Sequence, residues 1–294
     1  MDIAQVITDR IIEELEKGAA PWVKPWRDVK GRPAHGQPYN PASGTVYRGV
    51  NWAYLSLMGE GRSNLWLTFK QAQDLGGTVK KGAKGVPIVF WKPLQVKDKV
   101  TGEAGVVPML KHYFVFNAQD CEEISLPTPK NPLPEITWDA CDKAEELAGR
   151  LELAGGIHHG GNSAFFRPST DAIHLPEKAQ FSSRSNYYAT LLHESVHATG
   201  HESRLKRLTP ARFGSENYAY EELVAELGAA MLCAYCGLDG DLRHADYIGS
   251  WLKALKDDKK FIISAAGKAQ SAMDYLVKGN QESAETAEEM PLAA

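Results

Sequence analysis

The chain has 294 residues, of which 43% are hydrophobic and 24% charged, and its formal net charge at pH 7 is −4. This is the composition of an ordinary globular protein, and it excludes collagen-like, coiled-coil and wholly disordered chains. No apolar run approaches the ~20 residues that cross a bilayer, and the N-terminal segment contains acids where a signal peptide has bases. The four cysteines are too few and too unevenly spaced for a disulfide framework. We therefore expect a two-domain cytoplasmic protein with no membrane partner.

The first half of the chain predicts an α+β domain that spans residues 1–124. A helix begins at Ile3, where apolar residues recur at helical spacing, and ends near Gly18. Glycine turns bound two stretches rich in β-branched and aromatic residues, which predict a small antiparallel sheet. The further elements expected in this domain are helices at Asn51–Met58 and Thr68–Leu75, the second capped by Thr68, and strands within 76–96 and 106–117.

A linker and a second domain follow. Four prolines within residues 125–137 favour an extended, semi-rigid spacer, so we place the linker there. The second domain is expected over residues 138–280, and the acidic, small-residue-rich segment 281–294 is expected to be a disordered tail. Its predicted elements are a helix at Trp138–Leu153, two or three short strands within 155–176, and helices at Ser185–Gly200, Tyr218–Tyr235, Asp246–Asp257 and Lys259–Lys278.

The segment His193-Glu194-Ser195-Val196-His197 matches the H-E-x-x-H pattern of metallopeptidases. On a helix, residues four apart lie on one face, so both imidazoles can reach one metal ion. Glu194 lies beside that face, where it can accept a proton from a water molecule and pass it to a leaving group. Zinc accepts nitrogen and carboxylate ligands while one position stays open, so we predict one divalent ion, zinc. The alternative is a helix with two surface histidines.

A third protein ligand is expected from the segment YAYEELVAELGAAML. Glu222 follows His197 by 25 residues, enough for a loop and a return helix, and Glu226 lies one turn further on. We assign Glu222 as the metal ligand and Glu226 as the residue that orients a ligand histidine, with the reverse assignment left open. Glu221 is expected to face away from the metal as a solvated charge.

Two neighbouring features are weighed against this site. The longer three-histidine pattern fails because its last histidine would fall on Ser203, so His201 is expected to be a helix-end residue, with metal ligation the alternative. Cys233 and Cys236 form a C-x-x-C, but no second pair occurs at a suitable spacing for a zinc knuckle. These cysteines are therefore expected to be small apolar residues of the core.

Basic and aromatic residues are concentrated in one part of the chain. Residues 21–120 contain 14 lysines and arginines against 6 acids, and 13 of the 27 aromatic residues. Single-stranded nucleic acid binds where bases stack on aromatic rings and basic side chains follow the phosphates, so we predict such an interface here. The alternative is a protein-binding domain, and most of the three residues Trp52, Trp66 and Phe114 are expected in the core on either interpretation. The candidate nucleic-acid-binding residues are Trp22, Lys24, Trp26, Arg27, Tyr47, Arg48, Lys80, Lys81, Lys84, Trp91 and Lys92.

The chain as a whole resembles the ArdC antirestriction proteins. Its first domain is similar to the N-terminal domain of that family, which plasmid primases of the TraC type share, over NPASGTVYRGVNWAYLSLMGEGRSNLWLTFKQAQDLGGTVKKGAKGVPIVFWK. Its second domain resembles the zincin-like metallopeptidase domain of the family over YYATLLHESVHATGHESRLKRL and YAYEELVAELGAAML. His193, Glu194, His197 and the region of Glu222 match the metal motif of the family.

The resemblance implies that the first domain binds single-stranded DNA, with weaker binding of double-stranded DNA, and that the protein protects incoming conjugative plasmid DNA from host restriction endonucleases. A regulatory metalloprotease that cleaves a repressor or a restriction enzyme subunit is the first alternative. A DNA-binding protein with a purely structural metal is the second. Glu194 favours catalysis over the second alternative, because a purely structural site does not require it.

Overall fold

The computed structural model describes residues 2–16, 37–59, 62–97, 104–125, 140–181, 183–209, 215–238, 248–258 and 260–279. The helices and strands of the N-terminal half are α1 (Ile3–Glu16), β1 (Tyr39–Asn40), β2 (Thr45–Val46), α2 (Gly49–Met58), β3 (Trp66–Thr68), α3 (Phe69–Asp74), β4 (Thr78–Val79), β5 (Val86–Lys97), β6 (Ala104–Asn117) and β7 (Cys121–Glu122). Those of the C-terminal half are α4 (Ala140–Gly149), β8 (Gly156–His159), β9 (Phe165–Arg167), β10 (Ala172–Leu175), α5 (Arg184–Thr199), α6 (Glu216–Cys236), α7 (Ile248–Asp257) and α8 (Phe261–Lys278).

The N-terminal half is organised around a three-stranded antiparallel sheet of order β3-β6-β5. Strands β5 and β6 form a long hairpin in which Val86 pairs with Val115. Two-stranded ladders of β1 with β2 and of β4 with β7 complete this half. The predicted helices and the small antiparallel sheet are confirmed.

Helix α3 begins at the residue that the sequence identifies as its cap. The Thr68 hydroxyl accepts a hydrogen bond from the Gln71 amide at 3.2 Å, and the Gln71 side-chain oxygen accepts one from the Thr68 amide at 2.9 Å. This capping box satisfies two backbone donors that the first helical turn leaves unpaired. A helix of only six residues depends on such local hydrogen bonds, because so short a helix is unstable on its own.

The C-terminal half consists of a small three-stranded sheet packed against a layer of helices. Strand β10 is central, parallel to β8 and antiparallel to β9, and helix α5 packs against β9 and β10. Helix α6 packs against α5 on one side and against α8 on another. None of the helices in the described ranges has the length and apolar character needed to cross a membrane.

The two halves share one continuous cluster of buried apolar side chains. Helix α1 contacts α7 and helix α2 contacts α8. At the second contact the Arg48 guanidinium forms an ion pair with Asp274, and the Gly49 amide donates to the Gln270 side chain at 3.1 Å. Residues 126–137 of the predicted linker, the first two residues of the predicted second domain and the predicted tail lie outside the described residues, so the domain boundaries stay a prediction.

Candidate metal centre

Helix α5 places the H-E-x-x-H segment in the interior of the C-terminal half. The Ser183 hydroxyl caps the helix by accepting a hydrogen bond from the Asn186 amide at 3.1 Å. His193 and Glu194 are only 4% and 6% exposed. Their burial follows from the position of α5 between α6 and the sheet, and it excludes the interpretation of His193 as a surface histidine.

Helix α6 brings the third predicted ligand to the same place. It begins at the cap Ser215 and continues to Cys236, where Gly237 ends it in the left-handed conformation (φ 71°). Gly228 allows α6 to approach α5 closely, since a Cβ atom there would lie 2.8 Å from a methyl carbon of Val196. Glu222 therefore faces the two histidines directly.

The two histidines and Glu222 form a compact donor set. The His193 Nε2 atom lies 3.6 Å from Glu222 Oε2, and the His197 Nε2 atom lies 3.5 Å from Glu222 Oε1. One ligand atom from each of the three residues lies within 4.8 Å of the other two. Two imidazole nitrogens and one carboxylate oxygen are the ligand set of many catalytic zinc sites.

The other ring nitrogen of each histidine faces a carboxylate. His193 Nδ1 lies 3.4 Å from Glu226 Oε2, and His197 Nδ1 lies 3.3 Å from Glu221 Oε1. Such outer contacts fix the ring orientation, so both Nε2 atoms face the centre. Burial opposes protonation of His193, but the carboxylates of Glu222 and Glu226 raise its pKa to about 10. The negative charge of these carboxylates also favours a cation between the two histidines and Glu222. The residues present therefore fit a divalent ion.

The expectation for Glu221 is wrong. Its side chain is 16% exposed, and it accepts hydrogen bonds from Arg207 at 2.7 and 2.9 Å as well as contacting His197. Although burial opposes ionisation, the hydrogen bonds from His197 and Arg207 hold the pKa of Glu221 at about 2. Arg207 also donates to the Val196 carbonyl at 2.8 Å and to the Thr199 hydroxyl at 3.2 Å. Glu221 and Arg207 thus connect the loop after α5 to one ligand histidine.

The remaining polar neighbours are accounted for by other contacts. His201 Nδ1 lies 2.8 Å from the Ser203 hydroxyl, and the described residues that could hold a metal ion do not include it. Burial raises the pKa of the Glu222 carboxyl, but the hydrogen bond from His193, the charges of the two histidines and a hydrogen bond from the Tyr218 phenol together hold it below its usual value. Cys233 and Cys236 are buried free thiols, each 5% exposed, as expected for core residues.

We expect Gly228→Ala to loosen the metal centre. The added methyl group would lie 2.8 and 3.0 Å from the two Val196 methyl carbons, so α6 would have to move away from α5 and take Glu222 with it. Overpacking of this kind destabilises by about 1–3 kcal/mol, which exceeds the helix propensity of about 1 kcal/mol that alanine gains over glycine. Thermal melts and metal titration measure both effects. Gly267→Ala is the control, because nothing lies within 4 Å of a Cβ at that helical glycine; equal behaviour of the two variants would contradict the prediction.

The predicted nucleic-acid residues have diverse environments. Lys80, Lys81 and Lys84 are exposed in the loop between β4 and β5, and the Lys80 ammonium donates to the Gln119 carbonyl at 3.0 Å. The Arg48 side chain is 52% exposed despite its ion pair. Trp91 and Lys92 belong to β5, but their side chains lie outside the described residues, as do the whole of Trp22, Lys24, Trp26 and Arg27.

Among the aromatic residues, the assignment of Tyr47 is wrong. Tyr47 was expected at the nucleic-acid interface, but it is 9% exposed, and its hydroxyl donates to the Trp66 carbonyl and accepts from Asn40, both at 3.3 Å. Burial raises the pKa of this phenol, as expected for a packed tyrosine. The expectation that most of Trp52, Trp66 and Phe114 lie in the core is confirmed, since the two tryptophans are 3% and 1% exposed, whereas the Phe114 side chain is 42% exposed. The alternation of β6 places Phe114 on the outer face of the sheet, opposite the buried Val115.

Two families match the chain in succession. Residues 1–116 match the N-terminal domain of the anti-restriction factor ArdC, and residues 142–268 match a zincin-like metallopeptidase family. Two proteins named DNA primase TraC from Escherichia coli are each 40% identical to 94% of this chain. The chain spans only 20% and 27% of the length of these two primases.

Relatives of similar length also exist. An uncharacterized protein, y4eC, of Sinorhizobium fredii (strain NBRC 101917 / NGR234) is 39% identical over 94% of this chain and 91% of its own length. Two crystal structures of the antirestriction protein ArdC from plasmid R388, one metal-free and one with Mn(II) bound, are 39% identical to this chain. They align with 97% of it and with 99% and 98% of their own chains, at TM-scores of 0.73 and 0.76. The chain therefore belongs to the ArdC family of antirestriction proteins and has the two-domain α+β fold of that family, with a zincin-like C-terminal domain.

Proposed function

We propose that this protein binds single-stranded DNA and protects incoming plasmid DNA from host restriction, and that its C-terminal half is a zinc-dependent peptidase. The observation that supports catalysis most directly is the assembled set of His193, His197 and Glu222 with Glu194 beside it. The R388 protein named above was crystallised with Mn(II), and this supports a divalent ion at the matching site. Zinc is our choice of metal because it is best suited to two imidazoles and one carboxylate.

The residues of the proposed metal centre have two roles, binding of the metal ion and transfer of a proton. His193, His197 and Glu222 would hold the ion, which supplies a Lewis acid that polarises a carbonyl group and makes water more acidic. Glu194 is 6% exposed and accepts no hydrogen bond within the described part of the chain. Its carboxylate is therefore available to accept a proton from a water molecule and to donate that proton to the leaving amine.

The N-terminal half supports DNA binding through its charge. The loop between β4 and β5 presents three exposed lysines, Lys80, Lys81 and Lys84. Lysines at such a turn can contact phosphates without reading the sequence of bases. We infer non-specific binding of single-stranded DNA with a strong dependence on salt, and weaker binding of duplex DNA.

Replacing Lys80, Lys81 and Lys84 together by alanine is expected to weaken DNA binding and to flatten its salt dependence. Each lost phosphate contact on a single strand lowers the slope of log K against log salt by ~0.7, so the slope should fall by at most ~2. Fluorescence anisotropy with a labelled oligonucleotide at several salt concentrations measures the slope. The control is a variant in which Lys206, Lys253 and Lys268 are changed to alanine, because it has the same net charge as the loop-lysine variant. Identical slopes for both variants would show that the loop lysines are only solvated.

The test of the proposed function is conjugation into restricting recipient cells. Cells that produce the wild type should receive more unmodified plasmid than cells without it, and the loop-lysine variant should protect less. If Glu194→Ala protects as well as the wild type, antirestriction depends on binding alone, and the peptidase has a separate substrate, such as a repressor. No protection by the wild type would disprove the proposed antirestriction function.

A further inference from the structure

An exposed row of aromatic side chains covers the outer face of the β3-β6-β5 sheet. Residues 112, 114 and 116 of β6 alternate with the inward residues 113, 115 and 117, of which Val115 and Asn117 are fully buried. The ring centroids of His112 and Phe114 are 5.9 Å apart, and those of Phe116 and Phe69 are 6.4 Å apart. We call His112, Phe114, Phe116 and Phe69 the aromatic platform.

The exposure of this platform is unusual within the molecule. Among the residues that the structure describes, only four large hydrophobic side chains are exposed, and two of them, Phe69 (49%) and Phe114 (42%), belong to the platform. The other two, Val46 and Ile157, are not aromatic and lie in other elements. Grouped exposed apolar residues mark a surface that binds something.

A basic loop adjoins the platform. The Ala83 amide donates to the Lys80 carbonyl at 3.1 Å and Gly82 has φ +86°, which together form a β-turn with Lys81 at its corner. At Gly85 a Cβ atom would lie 3.1 Å from both Phe114 and Phe116, so the backbone of Gly85 lies directly against these rings. Lys84, one residue earlier, is thereby held at the edge of the platform.

The charged residues in the segments that form the platform and its loop are all positive. The segments 68–73, 80–86 and 111–116 build the platform and its loop, and they contain five lysines but no aspartate or glutamate. Aromatic faces beside lysines, without acids, are complementary to a polymer of bases and phosphates. They are less suited to a protein partner, because lysine is depleted at protein–protein interfaces relative to the rest of the surface.

We propose that the aromatic platform is the base-stacking part of the DNA site, with Phe69 and Phe114 in contact with unpaired bases and Lys81 and Lys84 in contact with the adjoining phosphates. This inference rests on the proposed DNA binding and adds the residues that select a single strand. In a duplex the base faces are already stacked on one another, so phenylalanine rings cannot reach them. The platform therefore explains a preference for single-stranded over duplex DNA.

The experiment compares two double variants of the full chain. Phe69→Leu with Phe114→Leu keeps the apolar character but removes the rings, whereas Phe69→Tyr with Phe114→Tyr keeps the rings. Loss of one stacked base weakens binding by roughly 5- to 150-fold. We expect the leucine variant to bind a fluorescein-labelled 20-nucleotide oligo-dT at least 10-fold more weakly, and the tyrosine variant to bind it nearly as the wild type does.

The salt dependence separates stacking from charge. The leucine variant should keep the wild-type salt slope because it loses no phosphate contact, unlike the variant of the loop lysines. Ile157→Ala, which removes an exposed apolar side chain from the other half, should not change binding. Thermal melts check that each variant is folded, and ultraviolet crosslinking of the wild type to oligo-dT should give adducts on peptides containing Phe69 or Phe114.

The outcomes distinguish the platform from the proposed function. If the wild type binds oligo-dT and the leucine variant binds equally well, or if crosslinks form only elsewhere, the platform assignment is wrong while DNA binding stands. If the leucine variant keeps oligo-dT binding but loses protection in cells, the platform binds a protein and the assignment is again wrong. If the wild type does not bind oligo-dT, the proposed DNA binding fails and the platform fails with it.

Discussion

Alanine in place of His193 or His197 is expected to remove the bound metal, whereas Glu194→Ala is expected to retain it. Among the described residues, the proposed ligand set has three members, and each histidine would provide one Nε2 atom to it, so the loss of one histidine leaves two. Glu194 belongs to the same helix but is not a member of that set. The three variants therefore separate the groups that hold the ion from the group that transfers the proton.

The stability of the variants should follow their metal content. An ion that binds only the folded state stabilises it by about 2.7 kcal/mol at a free concentration of 100 times Kd. The wild type and Glu194→Ala should thus melt at a higher temperature with zinc than after chelation, while the histidine variants should show little difference. Elemental analysis after equilibration with zinc gives the occupancy directly.

Two further variants make this comparison decisive. Glu222→Ala should lose metal as the histidine variants do, and His201→Ala should keep it because His201 contacts Ser203 instead. Metal loss in Glu194→Ala together with full occupancy in Glu222→Ala would overturn the assignment of ligand and base. Metal loss in His201→Ala would restore the alternative ligand considered from the sequence.

The parts of this molecule that follow local rules were predictable from the sequence. The capping box of Thr68 lies within four residues, and the spacing of His193 and His197 depends only on helical geometry. Glu222 and Glu226 lie one turn apart on a second helix. Two short segments, this one and the H-E-x-x-H segment, are therefore enough to predict that the two helices face each other. Periodicity, capping and motif spacing are all local, and for this reason the element order was recovered closely.

The failures concern contacts between distant segments. Glu221 was assigned to solvent because Arg207, its partner, comes from a loop whose path the sequence does not specify. Tyr47 was assigned to DNA because its burial against Asn40 and Trp66 depends on how three elements pack. The outward position of Phe114 does not follow from the sequence either, because the alternation of β6 is clear while the face that the core covers is not.

The contact of Asp171 with Arg204 is another long-range feature, and it fixes the end of the helix that contains the metal motif. Arg204 donates to both carboxylate oxygens of Asp171, and its Nε atom donates to the Ala198 carbonyl of α5 at 2.7 Å. The Ala154 amide also donates to Asp171, at 3.1 Å. The side chains of Asp171 and Arg204 are 11% and 4% exposed.

Arg204→Met should therefore destabilise the protein more than most single substitutions. Removal of one member of a buried ion pair costs about 3–5 kcal/mol, because the other charge stays buried without its partner. Although burial opposes ionisation, the hydrogen bonds from Arg204 and the Ala154 amide lower the pKa of Asp171. A carboxyl group whose pKa is lower in the folded than in the unfolded state stabilises the folded protein at pH values above the unfolded-state pKa of about 4. This stabilisation is lost as the pH falls below that value toward the lower pKa of the folded state.

The melting temperature of Arg204→Met should accordingly lie well below that of the wild type at pH 7, and the difference between the two melting temperatures should narrow as the pH falls through about 4.

Asp171 itself allows a matched pair of variants, because it has the left-handed conformation (φ 47°, ψ 51°). Asparagine adopts this conformation more readily than alanine, and its one amide oxygen can still accept the hydrogen bonds that Asp171 Oδ2 accepts from the Ala154 amide and from Arg204 Nη1, so Asp171→Asn should be less destabilising than Asp171→Ala. A double-mutant cycle of Arg204→Met with Asp171→Asn measures the coupling between the two side chains. Additive effects, or a difference in melting temperature that does not change with pH, would mean that Arg204 acts only through its hydrogen bonds to the Ala198 and Leu151 carbonyls.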